Sequence, residues 1–269
     1  MNTVIGLLII AIGAFCQSSS YVPINKIRKW SWESYWLIQG VFAWLIFPIL
    51  GALLAVPQGH GLFELYAAAP KESFLTMFFG VLWGVGGLTF GLSMRYLGVA
   101  LGQSIALGTC AGLGTIMGPV LLNIFFPELD ALSSLTAAVI IGVVTTLAGI
   151  AIIGIAGGMK SASLSEEEKK EAVKDFNFPK GLAIALLAGF MSGCFNVGLE
   201  FGKELNFGEL TDPMFRTLPA TLLVTVGGFL TNACYCIFQN VRNRTFTDYK
   251  DGKLWASNIF FCALAGLLW

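Results

Sequence analysis

Three polar side chains recur at intervals of four residues in a long apolar stretch: Ser192, Asn196 and Glu200. Because residues four apart lie on the same face of an α-helix, these side chains are expected to form one polar stripe. Such a stripe could hydrogen-bond a polar ligand. It could equally satisfy hydrogen bonds between neighbouring helices, as Ser and Asn commonly do in membranes.

Glu200 carries the clearest chemical prediction in this stripe. A carboxylate inside a membrane span costs about 2.5–3.5 kcal/mol on insertion scales, so it is rarely present without a role. We therefore expect Glu200 to bind and release a proton. The alternative is that the helix ends near Glu200 and that the carboxylate pairs with Lys203, three residues further on.

A second polar stripe near the N-terminus is formed by Gln17, Tyr21 and Asn25. With a shift of 175 residues it falls on the stripe at 192–200, and Gly6-Leu7 falls on Gly181-Leu182. Five predicted helices separate the two copies, and an odd number requires that the second copy be inverted. The pattern predicts inverted five-helix repeats, as in many secondary transporters.

The elements that position these residues follow from composition. The 269-residue chain is 56% hydrophobic and only 12% charged, against about 25% charged in soluble domains. This excludes a disordered chain and argues against a soluble enzyme, so we predict an all-α polytopic membrane protein. Segments of about 20 apolar residues, the length that spans a bilayer, occur at 4–24, 35–56, 74–94, 98–126, 132–157, 181–200, 217–239 and 254–269.

The distribution of basic residues predicts the orientation. Thirteen of the 16 Lys and Arg fall in the connections after segments 1, 3, 5 and 7, and the exceptions are Lys71, Lys203 and Arg216. Because short cytoplasmic loops are enriched in Lys and Arg, these four connections are expected to be cytoplasmic. The N-terminus is then outside.

The repeat divides the chain into three parts. Residues 1–158 are the first five-helix repeat, residues 159–180 a cytoplasmic linker with a short solvated helix, and residues 181–269 an incomplete second repeat. The apolar run Asn258–Trp269 stops without a charged flank. We therefore expect about eight helices here, in a C-terminally shortened version of a ten-helix protein.

Two motifs carry a family resemblance: Asn25-Lys-Ile-Arg-Lys-Trp-Ser-Trp-Glu-Ser-Tyr-Trp36, and Leu82-Trp-Gly-Val-Gly86 leading to Gly91-Leu-Ser-Met-Arg-Tyr-Leu-Gly98. They resemble the bacterial L-rhamnose–proton symporter family of the drug/metabolite transporter superfamily. The resemblance implies ten helices in two inverted repeats, and import of a methylpentose with protons across the inner membrane. It implies a sugar and the lipid bilayer as partners, and the proton as coupling ion in place of a cofactor.

A sugar site needs amides, hydroxyls and an aromatic face. On that basis the expected substrate-binding residues are Gln17, Tyr21, Trp83, Gln103 and Asn196. Trp83 is singled out because the neighbouring glycines 84, 86 and 87 could open space beside its ring, although a packing role is an equal alternative.

Arg95 and Glu33 are the expected gating residues, either separately or as an ion pair at the cytoplasmic side. Anchoring by the positive-inside rule is the alternative for Arg95. Trp30, Trp32 and Trp36 are expected to belong to the interfacial aromatic belt.

Other functions find less support in the sequence. The six cysteines lie in apolar runs without a CxxC motif, so no metal site is expected, and no catalytic motif indicates an enzyme. The balanced charge gives no indication of nucleic-acid binding. A metabolite or drug exporter and a non-transporting membrane sensor stay open as alternatives, as does the oligomeric state.

Overall fold

A computed structural model describes residues 3–163, 175–250 and 252–269, and these residues form helices and connecting turns without a β-strand. The α-helices in chain order are α1 (Thr3–Ser19), α2 (Tyr21–Ile24), α3 (Trp32–Val41), α4 (Phe47–Leu53), α5 (Leu62–Ala68), α6 (Pro70–Leu97), α7 (Val99–Phe125), α8 (Ala137–Ser163), α9 (Phe178–Phe201), α10 (Leu218–Asn243) and α11 (Gly252–Leu268). A π-helical turn, Phe42–Ile46, joins α3 and α4 into one continuous rod.

The all-α membrane architecture is confirmed. Seven helical stretches are long and apolar enough to cross a bilayer, and they coincide with the first seven predicted segments. The eighth segment forms α11, a shorter apolar helix of 17 residues. The solvated helix predicted within 159–180 falls largely on 164–174, which lie outside the described residues.

Local sequence signals set the helix ends more finely than hydropathy. Helix α6 begins at Pro70, whose fixed φ suits the first turn of a helix, and it ends at Gly98 with a φ of 80°. Helix α9 is capped by Asn177, whose side chain accepts a hydrogen bond from the backbone N–H of Lys180 at 3.1 Å. An asparagine at this position satisfies a donor that the helix itself cannot.

Helices α6, α7, α9 and α10 form the centre of the bundle, with α9 against both α6 and α7 and α10 against α6. The α3–α4 rod packs beside α10, α11 packs on that rod, and α8 packs on α7. In the apolar stretch that begins with α1 only 6% of the residues are buried, and the share in α8 is the same. Because α9 belongs to the second predicted repeat and packs between two helices of the first, both parts of the sequence contribute to one core.

Glycines let the central helices approach backbone to backbone. A Cβ added at Gly80 of α6 would collide with the carbonyl oxygen of Val224 in α10, and one at Gly84 would lie 3.0 Å from the Cα of Gly228. On another face of α6, two residues after Gly84, a Cβ at Gly86 would lie 2.6 Å from the backbone nitrogen of Ser192 in α9. We call Gly80, Gly84 and Gly86 the α6 seam.

Helix α7 presents glycines to its neighbours on two faces. Gly108 and Gly112 receive the side chains of Ile150 and Leu147 from α8. Gly114 lies against the backbone of Gly193 in α9. Small residues at these positions support close packing between membrane helices, where lipid removes most of the hydrophobic driving force.

The α6 seam generates a stability prediction. Replacing Gly80 with Ala should lower the stability of the folded bundle by about 1–3 kcal/mol, the usual cost of overpacking, because the added methyl group meets backbone. Gly149→Ala in α8 is the matched control, since a Cβ there meets nothing within 4 Å. Thermal unfolding in detergent micelles measures both variants. Equal melting temperatures for Gly80→Ala and Gly149→Ala would contradict close backbone packing at Gly80.

Candidate functional site

A cavity of about 700 Å³ beside the C-terminal half of α6 is the first candidate site. Helices α2, α3 and α10 complete its wall. We call it the aromatic cavity, and its ring-bearing lining residues are Tyr21, Trp32, Tyr35, Trp36, Phe90 and Tyr235. Arg95, Thr89 and Gln239 add polar groups. This combination of aromatic faces with a few polar groups is typical of small-molecule sites.

Hydrogen bonds hold one wall of the aromatic cavity in place. The indole N–H of Trp36 donates to Oδ1 of Asn232 at 3.2 Å, and the Asn232 amide donates to the Gly228 carbonyl at 2.9 Å. Asn232 is buried. The orientation of Trp36 is therefore coupled to the backbone of α10 where that helix meets the α6 seam.

A second cavity, of about 340 Å³, lies between α7, α9 and the Ala131–Ser134 turn. Asn196 and Glu200 line it together with Thr115 and Ser134, and we call it the Glu200 cavity. Glu200 also borders an adjoining cavity of about 240 Å³ that includes Glu72, near the N-terminal end of α6. The Glu200 and aromatic cavities thus lie toward opposite ends of α6.

Glu200 lies in the last turn of α9, and its side chain is 40% exposed. Its Oε2 is 3.9 Å from Nζ of Lys203, the pairing given above as the alternative to a proton role. The aliphatic part of the side chain lies over Gly118 of α7. The carboxylate is therefore accessible, which proton exchange requires, but it is not enclosed in the bundle in this conformation.

Trp83 packs inside an aromatic cluster. Its ring centroid lies 5.0 Å from that of Phe195, 5.7 Å from Trp269 and 6.0 Å from Trp44. The space expected beside Gly84 and Gly86 is filled by α10 and α9. This arrangement corresponds to the packing alternative for Trp83.

The remaining predicted substrate residues separate into two groups. Tyr21 lines the aromatic cavity and Asn196 the Glu200 cavity. Gln17 and Gln103 have exposed side chains on α1 and α7. The helices that begin the two predicted repeats pack in different places, since α1 contacts α2 and α11 whereas α9 contacts α6 and α7.

The predicted ion pair between Arg95 and Glu33 is wrong. Nε of Arg95 donates to Oδ2 of Asp175 at 2.7 Å, and both side chains are largely exposed. Glu33 instead lies 1% exposed at the start of α3, where its Oε1 accepts hydrogen bonds from the amide of Asn243 and the hydroxyl of Thr245, each at 2.9 Å. The first turn of α3 directs Glu33 toward the end of α10, away from α6.

Glu33 belongs to a larger cluster that we call the polar joint. It consists of Ser31, Glu33, Ser34, Asn240, Asn243, Thr245, Asp248 and Tyr249. The Ser31 hydroxyl donates to Asp248 at 2.8 Å, and the Ser34 hydroxyl to Asn240 at 3.0 Å. Burial raises the pKa of Tyr249 to about 12, so its neutral hydroxyl donates to the Ser34 carbonyl at 3.1 Å.

Sequence reasoning missed the polar joint and most of the aromatic cavity. Trp32 and Trp36, expected in the interfacial belt, line that cavity, and Trp30 is buried with its ring edge-on to Tyr249 at 5.3 Å. The available signal was the pair of asparagines, Asn232 and Asn240, within an apolar helix. Their partners lie about 200 positions earlier in the chain, so no local spacing reveals them.

Comparison with known proteins adds a whole-chain match. A family model described as L-rhamnose-proton symport protein (RhaT) matches residues 1–269. The L-rhamnose-proton symporter of Cronobacter sakazakii is 34% identical, with 98% of this chain and 76% of that protein aligned. The L-rhamnose-proton symporters of Yersinia pestis and Yersinia pseudotuberculosis are each 30% identical, with 99% of this chain and 77% of those proteins aligned. No solved structure matches the chain.

The polar joint generates a second stability prediction. Glu33→Ala should destabilise the protein by about 2–4 kcal/mol, because hydrogen bonds to a charged acceptor contribute more than neutral ones and their buried donors lose their partner. Glu64→Ala, at an exposed glutamate of α5, is the matched control. Thermal unfolding in detergent is the measurement, and equal melting of the two variants would rule out a stabilising role for the Glu33 hydrogen bonds.

Proposed function

The chain belongs to the L-rhamnose–proton symport protein family, and from that premise we propose that it imports L-rhamnose or a related deoxy-sugar together with protons. The observation that carries this proposal is the family match over residues 1–269. The relatives from Cronobacter sakazakii and Yersinia pestis, which align with nearly all of this chain, are L-rhamnose-proton symporters. The family is one of transporters, so the chain is a multi-pass membrane carrier and not an enzyme.

The proposed mechanism is alternating access between the two cavities. The aromatic cavity is lined by Tyr21 of α2 and by Arg95 near the end of α6. Tyr21 lies just before a connection that carries basic residues, and Arg95 is itself the basic residue in the last turn of α6. By the positive-inside rule this end faces the cytoplasm, so the Glu200 cavity faces the outside and the N-terminus is external. We place the protein in the bacterial inner membrane, with the inverted-repeat architecture and the drug/metabolite transporter superfamily as parts of the same proposal.

In this scheme Glu200 takes up the coupled proton from the outer side. Its position between two cavities gives the carboxylate access to water, and Asn196 in the same cavity can hydrogen-bond either protonation state. A proton on Glu200 cancels the charge that pairs with Lys203. The charge at the end of α9 therefore changes with protonation, where the Glu200 side chain lies over Gly118 of α7, and α9 also lies directly against the α6 seam.

Tyr21 is the predicted substrate residue that the aromatic cavity supports, and Arg95 can act as a gate there. The pair that Arg95 forms with Asp175 joins the end of α6 to the segment that leads into α9. Opening and closing of this pair would widen or narrow the cytoplasmic mouth. The pair is exposed, so it contributes little to stability and can open readily.

Uptake in cells expressing the chain tests the proposal. Labelled L-rhamnose should accumulate against its gradient, and a protonophore should abolish accumulation. Glu200→Gln should also prevent accumulation but leave exchange of internal for external sugar, because the neutral side chain permits the conformational change without a net proton. Glu209→Gln, at an exposed carboxylate of the Gly208–Leu210 turn, is the matched control.

Three results would contradict parts of the proposal. Accumulation that the protonophore leaves unchanged contradicts symport. Accumulation in Glu200→Gln at the wild-type level removes this residue from coupling. A wild-type chain that neither accumulates nor exchanges L-rhamnose contradicts the substrate.

A further inference from the structure

We propose that the aromatic cavity is the sugar-binding site, with Trp32 and Tyr235 as the stacking surface and Gln239 as the principal hydrogen-bonding residue. This inference rests on the proposed function and names the site at which it acts. The Glu200 cavity then serves the proton and not the sugar. The two ligands are separated along α6 and coupled through the helices that touch the seam.

The aromatic surface has the geometry to hold a sugar ring. The rings of Trp32 and Tyr235 have centroids 5.9 Å apart and planes inclined by 37°. Both side chains are about 40% exposed, so their faces are available to a ligand. The C–H face of a pyranose packs against such apolar, polarisable surfaces, and Phe90 and Leu92 offer further apolar lining for the methyl group of a deoxy-sugar.

Gln239 provides an acceptor that has no partner. Its Oε1 is buried and accepts no hydrogen bond within the described part of the chain, whereas its Nε2 donates to the hydroxyl of Tyr235 at a long 3.4 Å. A buried acceptor without a donor is destabilising, because it has lost its hydrogen bond to water. Because the terminal torsion of glutamine is broad, the amide can turn to accept from a sugar hydroxyl, which would remove that cost.

The charge of the cavity suits a neutral ligand. Among the residues that the structure describes, Arg95 is the only Lys, Arg, Asp or Glu in its lining, and its guanidinium is paired with Asp175. The hydroxyls of Tyr21 and Tyr35 can both donate and accept. The Glu200 cavity differs in having a carboxylate in its wall and about half the volume. A polyol is therefore better matched to the aromatic cavity, and a cation or proton to the Glu200 cavity.

Equilibrium binding of labelled L-rhamnose to the purified full chain in detergent tests the assignment. Gln239→Leu keeps the side-chain size but removes the amide, and should weaken binding about ten-fold, the effect expected for one hydrogen bond worth about 1.4 kcal/mol. Tyr235→Phe keeps the stacking ring but removes the hydroxyl that accepts a hydrogen bond from Nε2 of Gln239. The Gln239 amide then loses a partner that orients it, so binding should weaken in the same direction. Gln58→Leu, at an exposed glutamine of the connection after α4, is the matched control and should bind as the wild type does.

The outcomes separate the site from the function. Wild-type affinity in both Gln239→Leu and Tyr235→Phe overturns the site while leaving rhamnose transport in place. Loss of binding in Asn196→Leu, with these two variants unaffected, moves the sugar to the Glu200 cavity. Absence of binding in the wild type contradicts the proposed function itself, and the assignment with it. Size-exclusion profiles show whether each variant is folded. If Gln239→Leu does not fold, the affinity of Tyr235→Phe decides the assignment.

Discussion

Direct backbone contact between α6 and its neighbours α9 and α10 is the constraint on which the rest of the structure depends. Apolar side chains gain little by leaving lipid for another apolar surface, so close van der Waals contact must hold membrane helices together. Gly80, Gly84 and Gly86 provide it because the neighbouring backbones occupy the space where a Cβ would be. The same helix then changes character: a Cβ at Gly87 or Gly91 would meet nothing within 4 Å. Both residues line the aromatic cavity, which therefore begins where the seam ends.

The polar joint complements the seam. It connects the start of α3 to the end of α10 with hydrogen bonds that are buried or partly buried, and such bonds fix geometry because the low local dielectric penalises any that are broken. Trp32, Tyr35 and Trp36 lie within one helical turn of Glu33 and line the aromatic cavity. The joint thus anchors one wall of the cavity, while the seam anchors the α6 wall opposite. A ligand between these walls contacts two separately fixed parts of the bundle.

Hydropathy predicted the spans because membrane helices must keep about 20 apolar residues in lipid. Hydropathy predicts only residues 74–94 for α6, which is shorter than the observed helix. The reason is that Lys71, Glu72 and Arg95 are charged and lie in its first and last turns. The sequence predicts Tyr21 as a substrate-binding residue and Arg95 as a gating residue, and both border the aromatic cavity. It does not predict a role for Gln239. Nothing in the local sequence distinguishes Gln239, on the cavity, from Gln103, which is exposed. The Glu33 partners follow it by about 210 residues, so only the folded chain brings them together.

In the proposed mechanism, the aromatic and Glu200 cavities open alternately to opposite sides of the membrane. The direct measurement is the rate at which a membrane-impermeant maleimide labels a single cysteine at Leu92→Cys or Thr115→Cys, which line the two cavities, in a background with the six native cysteines replaced. Added L-rhamnose should change the two labelling rates in opposite directions when each is measured from its own side of the membrane. Rates that rise or fall together, or that ignore the sugar, would contradict the account.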